Sequence, residues 1–298
     1  MKKQLLTLLL CGGSFAFAQQ PVDYVNPFIG TSNFGTTNPG AVCPQGMMSV
    51  TPFNVMGSET NEFDKDSRWW STPYTSDNDF FTGYAHVNLS GVGCPELGGL
   101  LLMPTSGELK VDYHEYGSHY EKEVAHPGYY SNMLTKYNIK TEVTATPRTG
   151  LSRFTFPKGQ GNILLNLGEG LTNETGATVR FVSDTEIEGS KLMGTFCYNP
   201  QAVFPIYFVM QVKGHQRAEA GRTEDVAARN GNRYSFGIYR CDELYQYRAW
   251  QYIRQKAGNC NIRKHWHDRK TTAQAAFDRR DVLCGNFAFP DGNGGTWH

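Results

Sequence analysis

Hydrophobic and polar positions divide this chain into four stretches of different texture. The first is continuously apolar over residues 5–10, behind the charges of Lys2 and Lys3 and ahead of Ala16-Phe17-Ala18. A positive start, a short apolar run and a small-x-small site predict a signal peptide over 1–18, removed before Gln19. A membrane span needs about 20 apolar residues, which neither this run nor any later one approaches, so no span is expected. Leu10-Cys11 hints at a lipidation site, but the residue before a lipidated cysteine is normally small. Simple export, to the periplasm or beyond the cell, is therefore preferred to anchoring at Cys11.

The second stretch, residues 22–96, has little periodicity and many turn formers: Asn26-Pro27, Asn38-Pro39-Gly40, Thr72-Pro73 and Ser90-Gly91. It is also dense in aromatics, which argues for ordered loops. In the third stretch short strands take over. The run 100–103 is apolar and is expected to end at Pro104, and 129–134, 139–144 and 151–156 alternate apolar with polar side chains. Further strands are expected over 162–167, 177–182 and 203–212, separated by Gly, Pro and Asn. The predicted fold class is all-β, an antiparallel β-sandwich over 19–212. The fourth stretch, 213–298, shows neither sustained alternation nor an amphipathic stripe and reads as an irregular tail.

Charge sharpens that last boundary. The formal net charge of the whole chain is zero, which gives no general pull toward nucleic acid. Residues 1–212 nevertheless carry 13 Lys+Arg against 19 Asp+Glu, and residues 213–298 carry 15 against 9. The body uses nine Lys and four Arg, the tail four and eleven. Two explanations stay open for the tail: a shift of reading frame near Lys213 that leaves it poorly folded, or a divergent extension. Six cysteines follow the signal peptide, and their spacing fixes no disulfide pairing.

Three groups of residues carry a family resemblance. They are Asn26-Pro27-Phe28-Ile29-Gly30-Thr31 with Asn38-Pro39-Gly40-Ala41 and Pro44-Gln45-Gly46-Met47, then Asn88-Leu89-Ser90-Gly91-Val92-Gly93-Cys94, then Ala125-His126-Pro127-Gly128-Tyr129-Tyr130. Together they resemble the amino-terminal half of glycoside hydrolase family 92, secreted exo-acting α-mannosidases. The resemblance implies an enzyme that releases terminal α-linked mannose, of the α-1,2 type, from glycans. It also implies an inverting mechanism with calcium. In that family the paired carboxylates and the metal ligands belong to a helical catalytic domain whose motifs have no counterpart here. No catalytic and no metal-binding residue is therefore assigned, and this chain alone is expected to be inactive and to bind no calcium.

What the resemblance does imply is part of a sugar subsite, built from Asn33, Phe34 and Gly35 in the loop 31–35 and from Trp69 and Trp70 after Arg68. Sugar C–H faces stack on aromatic rings, and glycine lets backbone amides approach a ligand. One tryptophan touching sugar and the other anchoring its loop is the expected division. The segment from His86 through Gly91 is expected to order the pocket wall. An alternative of a different class is a non-catalytic carbohydrate-binding sandwich. Carboxylate clusters at Glu62/Asp64/Asp66, Asp77/Asp79 and Glu121/Glu123 read as solvated loops or strand edges. His114 and His119 are five residues apart, which rules out the shared helix face of a zinc-protease motif.

Overall fold

A computed structural model describes residues 20–33, 35–60, 71–89, 93, 97–157, 161–171, 176–194, 199, 201–213, 217–222, 235–241 and 247–254. The early strands are short: β1 (Ala41–Val42), β2 (Ser49–Phe53), β3 (Phe80–Phe81), β4 (Gly83–His86) and β5 (Leu101–Ser106). A single helical turn, α1 (Tyr113–Tyr116), is capped by the Asp112 carboxylate, which accepts the His114 amide. A longer meander follows: β6 (Ser118–His126), β7 (Tyr129–Leu134), β8 (Ile139–Ala145), β9 (Thr149–Thr155) and β10 (Gly161–Asn166). Then come β11 (Gly176–Ser183), β12 (Glu186–Met193) and β13 (Phe204–Lys213). Beyond residue 213 the backbone forms β14 (Arg217–Arg222), β15 (Ser235–Cys241) and β16 (Tyr247–Arg254).

These strands build two sheets. One runs β1-β2-β4-β5-β10-β15-β14, the other β11-β12-β13-β16-β9-β8-β7-β6-β3, and every strand pairing is antiparallel. The expected all-β antiparallel fold is thus what forms. β7 coincides with the predicted strand 129–134, and β8, β9, β10, β11 and β13 fall within two residues of their predicted bounds at either end.

Period-2 alternation explains the core. Tyr130, Ile139, Val143 and Phe154 from β7–β9 and Tyr84, Leu102 and Ile163 from the other sheet are buried in one cluster. Each fully buried side chain of this size contributes roughly 1.5–3 kcal/mol. A smaller cluster gathers Phe53, Val55, Met56, Ala85, Leu101 and Leu171. Ala85 follows Tyr84 along β4, so the alternation sends it to the opposite face.

One strand end departs from expectation. β5 continues through Pro104, which lies opposite Ile163 of β10. On its other side β5 meets β4 only at Leu102. Proline lacks an N–H to donate, and it is tolerated where one flank of a strand has no ladder partner. β6 was not foreseen because a bulge between Glu121 and Val124 breaks its alternation, with Lys122 in the left-handed region at φ 56°.

Candidate functional site

The loop predicted to touch sugar is built on hydrogen bonds to the segment that precedes β3. The Asn26 side chain takes the Phe28 amide (3.0 Å) and starts a turn that ends at Gly30, whose φ is +79°. Thr31 is buried; its hydroxyl donates to the Phe28 carbonyl (2.8 Å) and its own carbonyl accepts the Ser76 amide (2.8 Å). One residue beyond Ser32, Asn33 sits at φ 50° and donates its amide to Asp77 Oδ2 (3.0 Å). At Gly35 an added Cβ would lie 1.8 Å from the Gly30 carbonyl oxygen, so the chain doubles back there in a way only glycine permits. Asn33 and Gly35 are therefore brought together on one platform. Phe34, Trp69 and Trp70 lie outside the described residues.

Two asparagine side chains, Asn54 buried and Asn78 half-buried, hold the platform's other side. Asn54, with no exposed surface, donates to the Thr75 carbonyl (2.7 Å) and the Tyr120 hydroxyl (2.9 Å) and accepts the Thr75 amide (2.8 Å). Asn78 donates to the carbonyls of Asn54 (2.6 Å) and Gly57 (2.8 Å). Segments 54–57 and 75–78 are thus tied across the intervening chain.

Of the segment expected to order the pocket wall, His86 to Leu89 are described, and Ser90 and Gly91 lie outside the described residues. His86 is buried, with Nδ1 2.7 Å from the Leu100 carbonyl. Val87 takes a left-handed φ of 60°, and Asn88 bridges to Leu97. Its side-chain amide donates to Ser49 Oγ (3.1 Å) and to the Ala85 carbonyl (3.1 Å). At Gly98, also left-handed, a Cβ would lie 2.9 Å from Asn88 Oδ1. Behind this wall Lys191 of β12 is almost fully buried and donates to the carbonyls of Gly99 and Glu169, joining the chain before β5 to the chain after β10. Sequence reasoning missed Lys191, because a lysine at an inward position looks like an interruption of the strand.

The second missed feature is a tyrosine cluster around Glu123. The bulge at Lys122 turns Glu123 inward, where Oε1 accepts the hydroxyls of Tyr74 (3.0 Å) and Tyr130 (2.6 Å). Burial pushes the Glu123 carboxyl above its ordinary value, and these two hydrogen bonds offset only part of that. Burial likewise pushes the Tyr74, Tyr84 and Tyr130 hydroxyls up, so all three stay neutral donors.

Four other described carboxylates are also committed. Glu142 is held by Arg153 and Asp77 by the Asn33 amide, while Asp79 and Glu59 flank His119. Asp77 and Asp79 thus serve different partners. Among the described residues no group of three or more His, Cys, Asp or Glu side chains is placed to hold a metal ion. Glu62, Asp64 and Asp66 lie outside the described residues. Among the described residues no helix is long and apolar enough to cross a membrane.

Against known proteins, the model of the glycosyl hydrolase family 92 N-terminal domain matches residues 24–259. A solved family 92 α-mannosidase from Bacteroides thetaiotaomicron aligns with a TM-score of 0.66 and 26% identity over 79% of this chain and 33% of its own. A second structure of that protein, in complex with mannoimidazole, gives 0.65 and 26% over 79% and 32%. An inverting family 92 mannosidase from the same organism has a TM-score of 0.58 at 19% identity, over 89% of this chain and 34% of its own, and speaks for the fold alone. A protein of Arthroderma benhamiae described as an uncharacterized secreted glycosidase is 30% identical over 143 residues, 45% of this chain and 17% of that one. The chain spans about a third of the solved relatives and a smaller share of the fungal one. With the family match covering most of its length, the chain belongs to glycosyl hydrolase family 92, as that family's N-terminal domain.

Proposed function

We propose that the sandwich supplies part of the substrate subsite of an exported enzyme that removes terminal α-linked mannose, of the α-1,2 type, from glycans. The observation that carries this reading is the 26% identity to one third of an α-mannosidase that has also been solved with mannoimidazole. In this reading Asn33, Phe34 and Gly35 offer polar and backbone groups to the sugar, and Trp69 or Trp70 offers a stacking ring. A helical catalytic domain, acting with calcium, provides the acid and base. Inverting hydrolysis needs two carboxyl groups roughly 6.5–9.5 Å apart with room for a water between them. Glu123, Glu142, Asp77, Asp79 and Glu59 are instead engaged by tyrosines, by Arg153, by a backbone amide and by His119. Residues 19–212 supply most of the working unit of this proposal, and β15 and β16 of the following stretch lie within its two sheets.

Two measurements test it. The full chain, assayed with calcium on an α-1,2-linked mannobiose, is expected to release no mannose. Mannose release by the full chain would overturn the assignment of catalysis elsewhere. A mannoside titration is expected to quench tryptophan emission weakly, with Trp70→Ala removing the effect. Saturable, tight quenching that survives that substitution would remove Trp70 from the subsite. Weak binding is expected because half a pocket lacks the opposing wall that desolvates the ligand.

A further inference from the structure

His119 lies on β6 beside the bulge and belongs to none of the groups assigned above. Its ring is flanked by two carboxylates from different parts of the chain: Nε2 is 3.0 Å from Glu59 Oε1 and Nδ1 is 3.0 Å from Asp79 Oδ1. Phe80, directly opposite on β3, meets the ring edge-on with centroids 5.7 Å apart. That contact fixes the ring plane, so both nitrogens keep their directions. An ionised carboxylate can only accept a hydrogen bond. Neutral imidazole has one N–H and one lone pair, so it can serve only one of these two neighbours. The imidazolium has two N–H groups and serves both.

The surrounding charges leave this arrangement intact. Along β6 the next charged side chain on the same face is Glu121, which is paired with Lys122 (2.9 Å). Across the turn to β7, the Lys136 ammonium is directed to the carbonyls of Glu115 and Gly117. Thr135, opposite His119 on that side, bonds the His119 carbonyl through both its amide and its hydroxyl (2.9 Å each) and leaves the ring untouched. Among the described residues, the charged groups on the imidazole are thus Glu59 and Asp79.

Residues 54 and 57 are already held to the segment before β3 by Asn78, whose bonds involve no titrating group. Beyond Gly57 the only side-chain tie from this segment to a strand, among the described residues, is Glu59 to His119. We propose that Glu59, His119 and Asp79 form a proton-operated strap: the doubly protonated ring fastens residues 58–60 to the end of β6, and loss of one proton releases them. The strap is closed when both carboxylates are charged and the ring carries both protons, because only then does each ring nitrogen have an N–H to donate. It opens toward alkaline pH, and strong salt weakens it because all three side chains are about half exposed or more.

This inference is independent of the sugar reading, since its readout needs no ligand. Amide hydrogen exchange is measured on the full chain at pH 5.5 and 8.5, with each rate divided by its intrinsic rate at that pH. Residues 58–60 are expected to be protected about three- to tenfold more at pH 5.5, the scale of an exposed ion pair. Glu59→Gln and His119→Gln, both on partly exposed side chains, are expected to remove that difference while leaving exchange in β7 and β8 unchanged. Equal protection of 58–60 at the two pH values in the unsubstituted protein would overturn the proposal. So would a pH difference that persists in His119→Gln.

Discussion

Arg153→Met is expected to destabilise the protein by about 2–4 kcal/mol at pH 7, measured by urea unfolding followed by circular dichroism. Arg153 of β9 lies directly opposite Glu142 of β8 and grips it through two hydrogen bonds, Nε to Oε2 and Nη2 to Oε1, each 2.7 Å. The Glu142 side chain is only 8% exposed, so removing the guanidinium strands a carboxylate away from water. Lys140 (3.3 Å) and the Tyr129 hydroxyl (3.0 Å) remain on Oε1, which is why the expected loss stays below that of an isolated buried charge. The pH dependence distinguishes this account from simple loss of packing. Burial alone would raise the Glu142 carboxyl, but the hydrogen bonds and charge of Arg153 outweigh burial and hold it below its ordinary value. A depressed carboxyl contributes stability above its unfolded-state value, and that contribution fades as pH falls through the folded value. Without Arg153 burial is opposed only by Tyr129 and Lys140, so less of this stabilisation remains to lose and the gap between the two proteins narrows in acid. Arg153→Met with Glu142→Gln is expected to be less destabilised than Arg153→Met alone. A single variant within about 0.5 kcal/mol of the parent at pH 7 would refute the argument.

Glu142 also shows what a linear sequence conveys. The alternation of β8 and β9 is plain from residue 139 onward, and it forecasts two paired strands. It does not forecast that a carboxylate on that face is buried, because that depends on the neighbouring strands and on Arg153 standing opposite. The strands that were not foreseen have specific reasons. In β6 the extra residue at Lys122 shifts the inward positions by one, so Glu123 occupies a place that alternation reserves for an apolar side chain. In β12 the inward series is Ile187, Gly189, Lys191 and Met193. A Cβ on Gly189 would lie 2.6 Å from the Phe208 ring, and Lys191 is satisfied by carbonyls from two distant loops. Both are three-dimensional solutions with no local signature.

The candidate site divides along the same line. Asn33 and Gly35 were named from the family resemblance alone, and the left-handed turn at Asn33 and the doubling back at Gly35 emerge only in three dimensions. Asp77, which accepts the Asn33 amide, was read only as part of a solvated pair with Asp79, and Ser76, which meets Thr31, was not read at all, since nothing in a single chain reveals contacts between residues some 44 positions apart. The three strands beyond residue 213 make the same point. β15 takes its place by pairing with β10, and β16 by pairing with β9 and β13, whose own patterns are strong, while β14 follows by pairing with β15.

Acid is expected to destabilise the protein through His86, by about 3 kcal/mol between pH 6.5 and 4. His86 sits on β4 opposite Val50 and is 1% exposed. Burial pulls its imidazole down to about 4, and the bonds to the Leu100 carbonyl and the Tyr84 backbone only partly resist. The folded protein therefore holds a neutral ring where the unfolded chain takes up a proton, so stability falls as pH drops below the unfolded value and levels off below the folded one. Glu123 acts in the opposite sense. Its raised carboxyl favours the folded state in acid, and that contribution is lost as pH rises through the folded value. Total stability curves superpose these effects, and the comparison that isolates His86 is with His86→Asn. The Asn amide can stand where Nδ1 stands and keep the bond to Leu100, yet it does not titrate. At pH 7 this variant is expected to be the less stable protein, because the lost ring leaves space beside Val50, Met48 and Gly150. Toward pH 4 the difference should shrink or reverse, since only the parent loses the His86 contribution. Thermal melts of both proteins at pH 7, 5.5 and 4.5 decide the matter. A difference that stays constant across those three values would mean that His86 binds its proton equally well in the folded and the unfolded chain, contrary to the burial of its ring.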